Sequence, residues 1–142
     1  MRYILFFDGS SSASHEGSYG VVIRGGYAAD IHGTLADGPH TNNEAEYSGL
    51  IAGLEHMLGN ADAPVALGDE LSVQGDSQLV IKQMIGEYAV RAPNLVPLHS
   101  KAISLVSDLE AKGIAVNFEW VPRERNEEAD AISRPSPVVN KV

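Results

Sequence analysis

The spacing of apolar residues changes along this chain, and each change marks an element. Tyr3, Ile4, Leu5, Phe6 and Phe7 form a nearly unbroken run ending at Asp8, the pattern of a central strand covered on both faces. Residues 9–18 are mostly small or polar and read as a turn. Tyr19 to Arg24 and Tyr27 to Thr34 then read as two strands joined at Gly25 and Gly26, so three antiparallel strands come first. The pattern next becomes helical. Thr41-Asn42-Asn43-Glu44 has the form of a capping box, and Tyr47, Leu50, Ile51, Leu54 and Leu58 recur at helical spacing to about Leu58. Glu46, Gly49 and Gly53 share a neighbouring face, where missing side chains let the helix approach the sheet.

Leu71 to Gly75 reads as a short strand, and Asp76-Ser77 supplies the N-cap of a helix running toward Gly86. Pro93 and Pro97 frame the start of another helix, with Leu95, Leu98, Ala102, Leu105 and Leu109 as its apolar stripe and Gly113 as its stop. Ile114, Val116, Phe118 and Trp120 alternate with Ala115, Asn117 and Glu119, which predicts a fifth strand with one well-buried face. Asn126 to Ser133 has room for a short helix before Pro135 and Pro137. The order is βββαβα followed by αβα. Residues 1–134 are expected to form one domain and 135–142 a short tail.

Composition narrows the class. A chain of 142 residues can bury the core of a single domain. No stretch approaches the roughly 18 consecutive apolar residues of a membrane span, and the first residues lead straight into a strand. A soluble, cytoplasmic protein without membrane contact is therefore expected. The absence of cysteine excludes a disulfide scaffold and a thiolate metal site. The net charge of −9 argues against a generic nucleic-acid clamp, which would carry a basic stripe.

That acidity is not evenly informative. Asp8 ends the first strand, Glu46 lies in TNNEAEY, Asp76 in GDSQ and Asp130 in NEEAD. Taken singly each has a plain explanation: an exposed helix glutamate for Glu46, a helix cap for Asp76. Taken together, four carboxylates each set at or near the end of an element are what a shared divalent-metal site requires, since hard cations take oxygen ligands from several directions. This points to phosphodiester chemistry.

FDGS, TNNxxE, DSQ and NxxxD occur here in the order and spacing of type 1 ribonuclease H, within the retroviral-integrase-like superfamily, and the chain resembles that family from Tyr3 to about Arg134. The resemblance implies an α/β fold of the ribonuclease H kind. Its mixed five-stranded sheet has three antiparallel strands followed by two parallel ones, with helices on both faces. It also implies that Asp8, Glu46, Asp76 and Asp130 are the catalytic carboxylates, holding two Mg²⁺ ions or Mn²⁺ in their place. In the family the glutamate lies three residues after the second asparagine, which selects Glu46 and leaves Glu44 to the capping box. Glu127 and Glu128 are assigned to the first turn of the last helix, where its dipole favours acids. The implied reaction is endonucleolytic hydrolysis of the RNA strand of RNA/DNA hybrids, giving 5′-phosphate and 3′-hydroxyl ends. Asn42, Asn43 and Gln78 match the family's minor-groove contacts, and Thr41 and Asn94 its pocket for a DNA-strand phosphate.

The chain departs from the family pattern in four places. The turn after the first strand reads SSSASHEGS, which leaves hybrid contacts from Ser14 or His15 unassigned. Pro39 replaces an arginine near the phosphate pocket. The lysine-rich protrusion that grips the hybrid is missing, as in the compact archaeal-like and bacterial subgroup, with only Arg91 cationic between Gly86 and Leu98. Finally, no histidine precedes Asp130 at the usual place. Arg123 stands nearest and Arg125 is its rival, against the plain alternative of a surface ion pair with Glu124 or Glu128. Arginine stays protonated, so its role would be to polarise phosphate or assist product release, not to act as a base.

Loss of the protrusion and the histidine would admit double-stranded RNA as a further substrate. Nothing indicates an obligate protein partner, and a monomer is expected. The rival in another class is a noncatalytic nucleic-acid-binding module on the same fold, against which the retained acids argue, because a binder gains nothing from clustered negative charge near phosphates. An integrase or transposase core lacks its DNA-binding flanks here. A calcium buffer lacks its D-x-D-x-D-G loop.

Overall fold

A computed structural model describes residues 1–11, 17–35, 40–60 and 64–133. Five strands, β1 (Arg2–Ser11), β2 (Gly17–Arg24), β3 (Ala29–Thr34), β4 (Glu70–Gly75) and β5 (Ala115–Trp120), form one sheet in the order β3-β2-β1-β4-β5. β1 pairs antiparallel with β2 and parallel with β4; β2–β3 is antiparallel and β4–β5 parallel. The helices are α1 (Asn42–Gly59), α2 (Gln78–Met84), α3 (Val96–Ala111) and α4 (Glu127–Ser133). Mixed pairing and helices on both faces agree with the expected fold.

β1 is longer than its composition suggests. Gly9, Ser10 and Ser11 remain in the sheet because Gly17, Ser18 and Tyr19 pair with them, so strand pairing overrides weak intrinsic preference. The turn at Gly25 is reached as expected, with φ at 121°. Tyr3, Leu5 and Phe7 alternate toward α1 and join Val21, Ile23, Leu50, Leu54, Leu71 and Val73 in the main core. The other face of β1 is less covered than its unbroken apolar run suggests: Ile4 is exposed and Phe6 half-buried. The reason is the size of α4, which spans only seven residues and packs over β2, β1 and β3.

Thr41 caps α1 as its sequence predicts. Its hydroxyl accepts from the Glu44 N–H at 3.1 Å, and the Glu44 carboxylate accepts from the Thr41 N–H at 2.7 Å. Gly53 faces Leu5 and Val21, where an added Cβ would stand 2.7 Å and 2.9 Å from their methyl groups. At Gly9 the approach is tighter, since a Cβ there would strike the backbone of Ala45 and Glu46. Backbone cannot turn aside as a side chain can. Gly9→Ala is therefore expected to push α1 off β1 and cost about 1–3 kcal/mol, read as a lower denaturation midpoint. An unchanged midpoint would contradict this packing.

Candidate active site

Parallel pairing places two of the acids side by side. Phe7 is in register with Gly75, so Asp8 and Asp76 follow on adjacent strands, at the carboxyl end of β4 where the sheet switches from antiparallel to parallel neighbours. Crevices at such switch points are common ligand sites in α/β sheets. Close contact at Gly9 brings Glu46 over from α1. Carboxylate oxygens of Asp8, Glu46 and Asp76 lie within 4.8 Å of one another. Asp130 comes from α4 and its carboxyl is hydrogen-bonded to that of Asp8. All four sequence-assigned acids thus converge.

Asp8 and Glu46 are only 6% and 8% exposed. Burial raises the Asp8 carboxyl to about 7, helped by the hydrogen bond that the protonated Asp8 donates to Asp130 and by the charges of Asp76 and Asp130. Burial likewise raises Glu46 to about 8, with Asp8 and Asp76 adding to it and Arg123 pulling the other way. Asp76 is also raised by burial, while Arg123 and Asn126 hold it down in part. The buried oxygens Glu46 Oε2 and Asp76 Oδ2 accept no hydrogen bond. Carboxylates crowded together, desolvated and left with unused lone pairs form a donor set that fits hard divalent cations.

The remaining assigned residues divide. Asn42 and Asn43 start α1 beside Glu46, and the Asn42 side-chain Oδ1 accepts from both the N–H and the hydroxyl of Ser11 at 2.8 Å and 2.9 Å, which ties α1 to the end of β1. Gln78 is exposed at the first position of α2, two residues beyond Asp76. Ser77, not Asp76, caps that helix, its hydroxyl accepting from the Val80 N–H at 3.2 Å, so Asp76 is free of the capping role. Thr41 is exposed. Asn94 lines a cleft of about 480 Å³ with His40 and Glu44. Glu44 is held below its usual range despite burial, by the Thr41 N–H, the Asn94 side chain and His40. A carboxylate therefore faces Asn94 in the expected phosphate pocket. Ser14, His15, Pro39 and the tail from 135 lie outside the described residues.

Arg123 pairs with Asp76, its Nε 3.7 Å from Oδ2, and not with Glu124 or Glu128; its side chain is 75% exposed. Glu128 instead meets Arg24 at 3.4 Å, and Glu127 and Glu128 do occupy the first turn of α4. Trp120 corrects an expectation: it is 42% exposed, because β5 is the edge strand, and its indole N–H donates to the Asp76 carbonyl at 3.1 Å. A 3-10 turn, Arg123–Arg125, separates β5 from α4 and is not visible in the apolar pattern. Two further side chains stand out only in the structure. Asn126, marked only as the first letter of NxxxD, is buried and bonded to β1. Lys82, one turn beyond Gln78, puts its ammonium 5.1 Å from the Tyr88 ring, a second cation beside the stretch that holds Arg91.

Comparison with known proteins agrees with this architecture. A model of the reverse transcriptase-like family matches residues 6–136. The bifunctional protein Rv2228c of Mycobacterium tuberculosis (strain ATCC 25618 / H37Rv) is 39% identical over 140 residues, covering 94% of this chain and 35% of that protein. The chain thus spans about a third of the length of its mycobacterial relatives. The solved N-terminal RNase H domain of Rv2228c, fused to maltose-binding protein, is 34% identical with a TM-score of 0.78, covering 93% of this chain and 90% of that one. LC11-RNase H1, solved in complex with an RNA/DNA hybrid, is 30% identical with a TM-score of 0.77 and 92% coverage of each chain. With the family model spanning most of its length and an RNase H domain matched from end to end, this chain belongs to the reverse transcriptase-like family of ribonuclease H proteins.

Proposed function

We propose that the protein is a ribonuclease H that hydrolyses the RNA strand of RNA/DNA hybrids endonucleolytically, leaving 5′-phosphate and 3′-hydroxyl ends. The observation that carries this reading is the meeting of Asp8, Glu46 and Asp76 within 4.8 Å, with Asp130 against Asp8, in a chain of this family. Asp8, Glu46, Asp76 and Asp130 would hold two divalent cations, Mg²⁺ or Mn²⁺. Bound there, the cations would supply a water activated near neutral pH and charge neutralisation at the leaving oxygen.

The chain's own groups do the rest. Asp8 is hydrogen-bonded to Asp130 and lies within 4.8 Å of Glu46 and Asp76, so it would help hold the cations. Arg123 is exposed beside Asp76, and a guanidinium is suited to steady the scissile phosphate or the product, not to act as a base. Asn42, Asn43 and Gln78 flank the acids and offer neutral amides that donate and accept without adding charge beside the cations. Thr41 and Asn94 are assigned to a DNA-strand phosphate, though the ionised Glu44 beside them weakens that contact. The same reading takes the protein as a cytoplasmic monomer; no helix among the described residues is long and apolar enough to cross a membrane. Double-stranded RNA is included as a second substrate because the basic protrusion is absent.

A set of labelled duplexes, hybrid, RNA/RNA and DNA/DNA, incubated with Mg²⁺ or Mn²⁺ at low salt tests this. The RNA strand of the hybrid should be cut only when metal is present, and DNA/DNA should stay intact. A hybrid that is bound but left whole in both metals would leave a binding module in place of an enzyme.

A further inference from the structure

We propose that Asn126 is the positioning residue that sets Asp130 against Asp8; the inference rests on the nuclease reading above and assigns a residue to it. Asn126 is 1% exposed, and its side-chain Nδ2–H donates to the Phe7 carbonyl at 2.9 Å. Phe7 directly precedes Asp8, so the bond joins points 119 residues apart in the chain at the strand position next to the site. The same residue is a junction of backbone bonds. Its N–H donates to the Arg123 carbonyl at 2.9 Å, closing the 3-10 turn, and its carbonyl accepts from the Asp130 N–H at 3.0 Å, opening α4.

Residues four apart on a helix share a face. Asn126 and Asp130 therefore address the same strand, one through the Phe7 carbonyl and the other through the Asp8 carboxyl. Among the described residues, α4 is otherwise held by packing over β2, β1 and β3 and by an ion pair. Seven residues are too few to be stable alone. Its Arg24–Glu128 pair is largely exposed, and such pairs contribute little. Ala129 is fully buried and gives packing, but packing does not set the helix register as a directed bond does. Upstream, the connector is already stitched to β4, since the Val121 N–H donates to the Gly75 carbonyl at 2.9 Å and the Trp120 indole to Asp76. Asn126 supplies the matching stitch to β1. An amide is required, because its N–H faces a carbonyl oxygen while the side chain also stands against the Asp76 carboxyl. An aspartate of the same size would set oxygen against oxygen.

The test is a double-mutant cycle on the full chain with Asn126→Ala, Asp130→Asn and the pair. Two readouts apply: kcat and KM on hybrid, and calorimetric binding of Mn²⁺ alone without nucleic acid. Asn126→Ala should lower kcat and weaken Mn²⁺ binding about 10- to 100-fold. KM for the hybrid should stay within about twofold, because no substrate contact is lost. In the Asp130→Asn background, Asn126→Ala should add little to either loss, since it acts through Asp130. Losses that multiply, or Mn²⁺ binding unchanged by Asn126→Ala, would overturn the proposal while the nuclease reading stands. A parent that neither cuts hybrid nor binds Mn²⁺ overturns both. Should Asn126→Ala fail to fold, the similarly sized and uncharged Asn126→Leu carries the cycle, with the same losses expected and the same outcomes against it.

Discussion

Asp8→Asn is expected to abolish hybrid cleavage while making the metal-free protein more stable. The two effects have one cause. Asp8 is almost fully buried beside Glu46, Asp76 and Asp130, and its carboxyl is raised to about 7 by burial first and by Asp130 and Asp76 second. At pH 8 the folded chain must therefore keep a desolvated charge among like charges. An amide of the same shape removes that repulsion, worth on the order of 2 kcal/mol and a rise of several degrees in melting temperature. It also removes one of the four carboxylates that would hold the cations, and cleavage should fall by about 10³-fold or more. Hybrid binding should survive, because the amides of Asn42, Asn43 and Gln78 are untouched. A variant that is less stable without metal and still cuts would contradict both the electrostatics and the role.

The second large effect is stabilisation by Mg²⁺, and it should depend on pH in a defined direction. Asp8 and Glu46 titrate near 7 and 8 in the fold, against ordinary values of 3.8 and 4.5. Between pH of about 4 and 8 the native chain thus binds more protons than the unfolded chain. Stability from this site is fully present below the lower value and is lost as pH rises through the higher. Metal-free melting temperature should fall from pH 6 to 8.5. Cations must displace those same protons, so the gain from Mg²⁺ should be larger at pH 8.5 than at pH 6. Binding to the native state alone at 100 times the dissociation constant adds about 2.7 kcal/mol. Thermal scans at both pH values, with and without millimolar Mg²⁺, read this directly. No gain at either pH, or a larger gain at pH 6, would count against the site.

Local chemistry was the readable part of this fold. The reciprocal Thr41–Glu44 cap follows from side chains three residues apart, and the small face of α1 follows from helical spacing. Both depend on neighbours in sequence. The pairing of Phe7 with Gly75 does not, and without it nothing in the residues alone puts Asp8 beside Asp76; the places of the four acids at element ends suggested a shared site, and resemblance to a family gave them their roles. The Asn126–Phe7 bond was invisible for the same reason, and only the one-turn spacing of Asn126 from Asp130 hinted at it. Trp120 shows how alternation misleads at a sheet edge. The period of two was right, but β5 has a neighbour on one side only, and the indole N–H found the Asp76 carbonyl instead of the core. Arg123 lies 3.7 Å from Asp76, a partner that sequence could not choose because Glu124 and Glu128 are nearer along the chain.

The central claim is that the oxygens of Asp8, Glu46, Asp76 and Asp130 form one divalent-cation site at the carboxyl end of β4. Anomalous diffraction from crystals soaked in Mn²⁺ tests it most directly. The account predicts strong peaks between the Asp8, Glu46 and Asp76 carboxylates and beside Asp130, all lost in Asp8→Asn crystals. Mn²⁺ bound elsewhere on this acidic surface, with no peak among these four side chains, would contradict it.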